Sequence, residues 1–192
     1  MIGCSPQKTR SKGTVIIGNK IPKEFFITIG TGESDITVHA GSYHLALNAA
    51  GIERCNIMYY SSILPAIATE IPKDEETIKS LVHGSVMDTI MACANAARGE
   101  RATAGIIFAW LYHKSTGKKH GGLVCEYNGH DDEETVKKSL RASLQELYTN
   151  GYSDRFELKD EKLTTISFVP KKKHGTALVA LCFLNYEVPI LE

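Results

Sequence analysis

Two places in this chain combine residue types that could do covalent chemistry together. One is the adjacent pair Ser61–Ser62, at the end of the apolar run Asn56-Ile57-Met58-Tyr59-Tyr60. The other is Glu126, inside Gly122-Leu123-Val124-Cys125-Glu126-Tyr127. A serine hydroxyl can attack the carbonyl of the residue before it and move the acyl group from nitrogen to oxygen. Elimination from that ester leaves dehydroalanine, which hydrolyses to a new N-terminus bearing a ketone. A serine pair alone is an ordinary coincidence among thirteen serines. Its surroundings give it weight.

Glu126 sits among residues that read as buried. A carboxylate there must be paired, lie at a strand end, or have its pKa raised by desolvation. In the last case it becomes a proton donor near neutral pH. The plain alternative is an edge-strand glutamate facing water.

Other constellations carry less. Gly30-Thr31-Gly32-Glu33 lacks the P-loop lysine and the third glycine of a dinucleotide fingerprint, so it reads as a turn leading toward a ligand pocket. The seven histidines form no H-x-H or H-x-x-x-H pair, and no G-x-S-x-G elbow occurs. No metal site is expected. The five cysteines are widely spaced without a C-x-x-C, which indicates neither a disulfide framework nor a zinc site.

Composition narrows the classes further. The 192 residues suggest one domain, with 43% hydrophobic and 23% charged residues. Lys plus Arg and Asp plus Glu both number 22, so charge gives no reason to expect nucleic acid or an anionic membrane as partner. No apolar run approaches the roughly 18–20 residues of a membrane span. Met1-Ile2-Gly3-Cys4 looks like the end of a lipoprotein signal without the hydrophobic stretch before it. A cytoplasmic protein with reduced thiols is expected.

The elements that must position these residues follow from periodicity. Residues 1–20 read as a loose tail and 21–192 as a single domain. Phe25–Ile29 reads as a short strand halted by Gly30-Thr31-Gly32. Residues 42–50 have helical spacing closed by Gly51. Arg54–Ser61 is extended, and 70–80 reads as a charged surface loop. Residues 85–97 fit either a helix or the alternation Val86, Asp88, Ile90, Ala92. Arg101–Tyr112 reads as a strand, with Ala104, Ile106, Phe108, Trp110 and Tyr112 on one face, turning at Gly117-Lys118-Lys119 into the Glu126 segment. A helix from about Asp132 to Tyr148 buries Val136, Leu140, Leu144 and Leu147. Strands Leu163–Val169 and Thr176–Tyr186 follow, joined by a solvated lysine turn. Mostly strands with two helices suggest packed sheets with helices outside.

These pieces together resemble the pyruvoyl-dependent arginine decarboxylases. Asn56-Ile57-Met58-Tyr59-Tyr60-Ser61-Ser62-Ile63-Leu64-Pro65 is similar to that family's self-processing segment, and Gly122-Leu123-Val124-Cys125-Glu126-Tyr127 to its segment with the catalytic glutamate. Leu45–Ile52 is similar to the helix before the processing strand, and Ala180–Glu187 to the ending of the bacterial branch. The resemblance implies an α+β fold, a four-layer αββα sandwich of mainly antiparallel sheets. It implies a homotrimer or dimer of trimers with active sites between subunits, and it tips residues 85–97 toward strand.

The resemblance also implies roles. Serinolysis at Ser61–Ser62 would give chains 1–61 and 62–192, with a covalent pyruvoyl group derived from Ser62 as the cofactor, and neither pyridoxal phosphate nor metal. Asn56 would polarise the scissile carbonyl or hold its oxyanion. Glu126 would return a proton to the substrate carbon after carbon dioxide leaves. The substrate would be a small-molecule amino acid, L-arginine giving agmatine and carbon dioxide, with no nucleic-acid or membrane partner. The substrate pocket would involve His44, Glu53, Cys55 and Asp35. One departure bears on the substrate: His44 stands where the family has an aspartate that reads the guanidinium. A guanidinium wants a carboxylate that accepts paired hydrogen bonds. Glu53, Asp35 or Glu33 could supply it, the substrate could be another amino acid, or the chain could be processed but inactive. An unprocessed, non-catalytic binding trimer is the rival of another class.

Overall fold

A computed structural model of the protein describes residues 15–191. In chain order the N-terminal half holds β1 (Ile16–Ile17), β2 (Ile21–Pro22), β3 (Glu24–Ser34), α1 (His44–Ala50), β4 (Asn56–Tyr59), β5 (Ile63–Pro65), β6 (Thr69–Glu70) and α2 (Glu75–Ser80). The rest holds β7 (Val86–Ala97), β8 (Ala102–His113), β9 (Lys119–Gly129), α3 (Glu133–Gly151), β10 (Phe156–Phe168), β11 (His174–Phe183), β12 (Tyr186–Glu187) and β13 (Ile190–Leu191). A π-helical turn, Val38–Tyr43, leads into α1.

Two mainly antiparallel sheets carry the fold. One has the order β10-β8-β9-β5; the other has the order β4-β7-β11-β3-β6, with parallel pairing only at its edges β4 and β6. Strand alternation sorts side chains onto two faces. Ile90, Ala92 and Ala94 of β7, Ala104, Ile106 and Phe108 of β8, and Val179 and Leu181 of β11 join one apolar cluster drawn from both sheets. The alternate residues Met87, Met91, Leu178 and Ala180 pack with Ala46, Leu47 and Ala50 of α1. Ile107, Ala109 and Leu111 pack with Val136, Leu140 and Leu144 of α3. The chain is thus α+β, with α1 covering one sheet and α3 the other.

The β8 face and the α3 stripe match expectation, as does the Gly51 cap of α1, which adopts φ 73°. Residues 85–97 are strand, not helix. Leu147 lies on the rim of α3 and is 38% exposed rather than buried. The charged loop expected at 70–80 contains a third helix, α2. Its Asp74 accepts from the Thr77 amide at 2.8 Å and two acids occupy the first turn, so capping forms a helix that shows little apolar periodicity. Strand β10 begins seven residues earlier than expected, because its polar half pairs with the end of β8 through a register shift between Lys159 and Lys162. Of the tail expected over 1–20, residues 1–14 lie outside the described residues. Ile16–Ile17 pair with Ile190–Leu191, and Gly18 N–H donates to the Pro189 carbonyl at 2.7 Å.

The glycines at 30 and 32 do not halt β3, nor do they form a turn toward a ligand. The strand runs through them, and α1 lies directly on it. A Cβ at Gly30 would stand 2.0 Å from the Ala46 carbonyl oxygen, and one at Gly32 would stand 2.3 Å from that of Ser42. Thr28 Oγ1, donating to the Ala50 carbonyl at 2.7 Å, ties the two elements together. Gly30→Ala is therefore expected to cost about 3 kcal/mol or more, because both partners at the clash are backbone. A fall in the denaturant midpoint measures it; an unchanged midpoint would mean that α1 can lift from β3 freely.

Candidate active site

The Ser61–Ser62 peptide bond is the span by which the chain crosses from one sheet to the other. On its N-terminal side, β4 runs parallel to β7 with Tyr59 opposite Thr89, and the Tyr60 amide donates to the Thr89 carbonyl at 2.8 Å. On its C-terminal side, β5 pairs with β9, Ile63 opposite Leu123, and the Val124 amide donates to the Ser62 carbonyl at 3.1 Å. Each side is held by its own ladder, so breaking the bond between them removes no strand pairing.

The β5–β9 register brings serine and glutamate together across 64 residues of sequence. Ser62 Oγ lies 2.6 Å from Glu126 Oε1 and 2.8 Å from Oε2, donating to the carboxylate. Glu126 lies two residues beyond Val124 on β9, so alternation gives the two the same face. Both Ser62 and Glu126 are half-buried, whereas Ser61 is exposed. Of the situations open to Glu126 from sequence, pairing is the one observed. The scissile carbonyl, that of Ser61, accepts from the Ile63 amide at 2.9 Å across a three-residue γ-turn centred on Ser62.

Asn56 is placed differently from expectation. Its side-chain amide donates to the Gly84 carbonyl at 2.9 Å, and its backbone N–H to that of Ser85 at 2.7 Å. It fastens β4 to the turn before β7 instead of touching the Ser61 carbonyl. Cys55, just before it, is buried against α1 with Sγ 3.4 Å from Ser85 Oγ.

The substrate-reading candidates spread over the outside of α1 and its neighbouring loops. His44 is exposed and, with His39, Tyr43 and Leu47, lines a shallow cavity of about 440 Å³. Asp35 accepts from the Lys173 amide at 3.1 Å and pairs with Arg98 at 3.3 Å, while Glu33 accepts from the Lys171 amide at 2.7 Å. Both carboxylates are thus engaged in holding the lysine turn to the end of β3. Among the described residues Glu53 pairs only with its neighbour Arg54, at 3.5 Å.

One cluster beside the serine pair escaped the sequence reading. Asp88 of β7 is 3% exposed and accepts from Tyr60 Oη at 2.9 Å, Tyr186 Oη at 2.6 Å and the Lys20 ammonium. It anchors the residue immediately before Ser61. The signal was available, since Asp88 interrupts an apolar alternation just as Glu126 does. Burial works to raise its pKa, but the bonds from Lys20, Tyr186 and Tyr60 prevail and hold it below the ordinary carboxylate range. Burial and the Asp88 bond push the Tyr186 phenol up. The stabilisation from a depressed carboxylate is complete above its unfolded pKa of about 4 and is lost as pH falls through the lower folded value. Asp88→Asn is accordingly expected to flatten the acid limb of stability against pH below about pH 4. Urea midpoints measured down that limb check it, and a limb as steep as the parent's would contradict it.

Among the described residues no group of three or more His, Cys, Asp or Glu side chains could hold a metal ion. No described helix is long and apolar enough to cross a membrane.

Comparison with known proteins identifies a family. The family model described as pyruvoyl-dependent arginine decarboxylase matches residues 24–188. The chain is 32% identical over 191 residues to the pyruvoyl-dependent arginine decarboxylase AaxB of Chlamydia abortus, an alignment covering 88% of this chain and 94% of that protein. It is 33% identical over 192 residues to AaxB of Chlamydia muridarum, with the same coverage. It is also 31% identical over 132 residues to pyruvoyl-dependent arginine decarboxylase 2 of Archaeoglobus fulgidus, covering 68% of this chain and 80% of that one. The family model and the relatives define the class: an enzyme of the carboxy-lyase kind, a pyruvoyl-dependent decarboxylase. The chain belongs to the pyruvoyl-dependent arginine decarboxylase family.

Proposed function

We propose that the chain cleaves itself at Ser61–Ser62 and then decarboxylates L-arginine to agmatine and carbon dioxide. The observation that carries this reading is the donation of Ser62 Oγ to both oxygens of Glu126. A carboxylate so placed can take the hydroxyl proton as Oγ attacks the Ser61 carbonyl, and the acyl group moves to oxygen. Loss of the Cα proton of Ser62 then expels Ser61 as a free carboxylate. Water converts the resulting dehydroalanine to a ketone and ammonia. The pyruvoyl group supplies a carbonyl that takes the substrate amine and withdraws electrons from the breaking Cα–carboxylate bond. The residues fit it: position 62 would keep the same β9 neighbours, and Glu126, within hydrogen-bond distance of the Ser62 side chain, would be beside the group to return a proton to the substrate Cα.

Exposure around the serine pair supports assembly with further copies. Met58 is 54%, Tyr59 59% and Ile63 55% exposed, an apolar rim that a second subunit would cover. We place the active sites there, in a trimer or dimer of trimers of four-layer αββα protomers. The unpaired thiols of Cys55, Cys93, Cys125 and Cys182 fit a reducing cytoplasmic location.

Substrate identity turns on α1. With Asp35 engaged by Arg98, Glu53 is the carboxylate free enough to receive a guanidinium in place of the aspartate that His44 replaces. A second reading, a different amino acid as substrate, rests on that same histidine. Carbon dioxide release from arginine, lysine, ornithine, histidine and aspartate decides between them. On the arginine reading, arginine leads the panel and Glu53→Gln raises its KM about tenfold or more, consistent with the loss of one charge-assisted pair. A Glu53→Gln enzyme with unchanged KM would remove Glu53 from the pocket, and release from another amino acid alone would replace arginine.

A further inference from the structure

We infer that the main-chain N–H of Ile63 is the oxyanion donor for self-cleavage. The proposal rests on the reading that the chain processes itself at Ser61–Ser62. Its observation is the γ-turn: the Ile63 amide lies 2.9 Å from the Ser61 carbonyl oxygen, the oxygen that becomes negative when Ser62 Oγ attacks. The donor belongs to the residue after the nucleophile, so nucleophile, electrophile and stabilising hydrogen bond lie within three consecutive residues. Asn56, the side chain expected to serve here, has its amide on the Gly84 carbonyl instead.

The neighbours explain why this N–H is available. Ile63 is the first residue of β5, and its N–H turns back to Ser61 while the Ser62 carbonyl is taken by Val124 and the Ile63–Leu123 register fixes the strand. Tyr60, bonded to Asp88, and its own amide, bonded to Thr89, fix the other side. The turn is therefore held at both ends while its centre is left free to react. As Oγ attacks, the Oγ–H bond breaks with its proton passing to Glu126, and the Oγ–C bond forms. The carbonyl π pair moves onto oxygen, against Ile63 N–H. Collapse breaks the C–N bond, and the proton returns from Glu126 to the Ser62 nitrogen. A hydrogen bond to an ionised acceptor is roughly twice as strong as one to a neutral carbonyl, so this donor favours the intermediate over the peptide. Removal of one such donor elsewhere slows acyl transfer by about 10²–10³-fold.

The test replaces one backbone atom. A chain carrying the α-hydroxy acid analogue of isoleucine at position 63 has an ester oxygen where the N–H stood and keeps every side chain. It is expected to fold with the thermal midpoint of the parent and to cleave at 61–62 about 10²-fold more slowly. Mass spectrometry distinguishes that cut from hydrolysis of the new ester between 62 and 63. Cleavage within a few-fold of the parent rate would overturn the proposal. A second measurement does not depend on the ester chain folding. In Ser62→Ala, labelled with ¹³C=¹⁸O at the Ser61 carbonyl, the amide I band should lie at the lowered frequency of a hydrogen-bonded carbonyl. A band at the frequency of an unbonded amide would also overturn it. If the unaltered chain never cleaves, the underlying reading fails; if it cleaves and the ester chain keeps pace, only this inference fails.

Discussion

Glu126→Gln is expected to lower kcat for decarboxylation by about 10²–10⁴-fold, the usual contribution of a positioned proton donor. Glutamine has nearly the same shape and, before cleavage, can still accept from Ser62 Oγ, so the fold should change little. It cannot exchange a proton with Cα. The bond from Ser62 Oγ to this carboxylate adds a second consequence, because the same substitution removes the acceptor for the hydroxyl proton during cleavage. Chain cleavage should therefore slow as well, and fully processed protein will need longer incubation. Single-turnover carbon dioxide release on the processed fraction separates the two effects. Full turnover by processed Glu126→Gln would take the proton-donor role away from this residue.

Ser62→Ala should abolish both cleavage and decarboxylation, since one residue supplies both the nucleophilic oxygen and the carbons that become the pyruvoyl group. The loss should come without unfolding. Among the described residues the hydroxyl bonds to Glu126 alone, and the crossing segment stays tied to Thr89 on one sheet and to Leu123 and Val124 on the other. The variant should keep the parent's thermal midpoint as a single chain of 21.1 kDa. Cleavage persisting in Ser62→Ala would place the reaction at another bond.

The sequence made some elements plain for physical reasons. Strand β8 carries an apolar residue at alternate positions along one face, and α3 combines a capping aspartate with a stripe at helical spacing. Glycine ordinarily marks a break in a strand, yet β3 runs on through two of them. Gly30 and Gly32 are there because α1 approaches the strand backbone to a distance that no Cβ permits, and a close approach leaves no periodic trace. Helix α2 escaped because it is stabilised by a cap and acids at its start more than by a buried face. The site divides the same way. Ser62 and Glu126 were each recognisable as residue types, yet their contact depends on the register of β5 on β9, which one sequence does not encode locally. Asp88, like Glu126, is a carboxylate within an apolar alternation, and each is held there by hydroxyl donors. The turn that puts Ile63 N–H on the scissile carbonyl is a main-chain feature, and no side chain announces it.

The mass of the purified, unaltered chain under denaturing conditions bears most directly on self-cleavage at Ser61–Ser62. After incubation it should resolve into residues 1–61 and 62–192, the larger fragment resistant to Edman degradation because its N-terminus is a ketone. The two masses should sum to that of the intact chain apart from the exchange of ammonia for water. A single species that stays at 21.1 kDa through prolonged incubation would contradict the account.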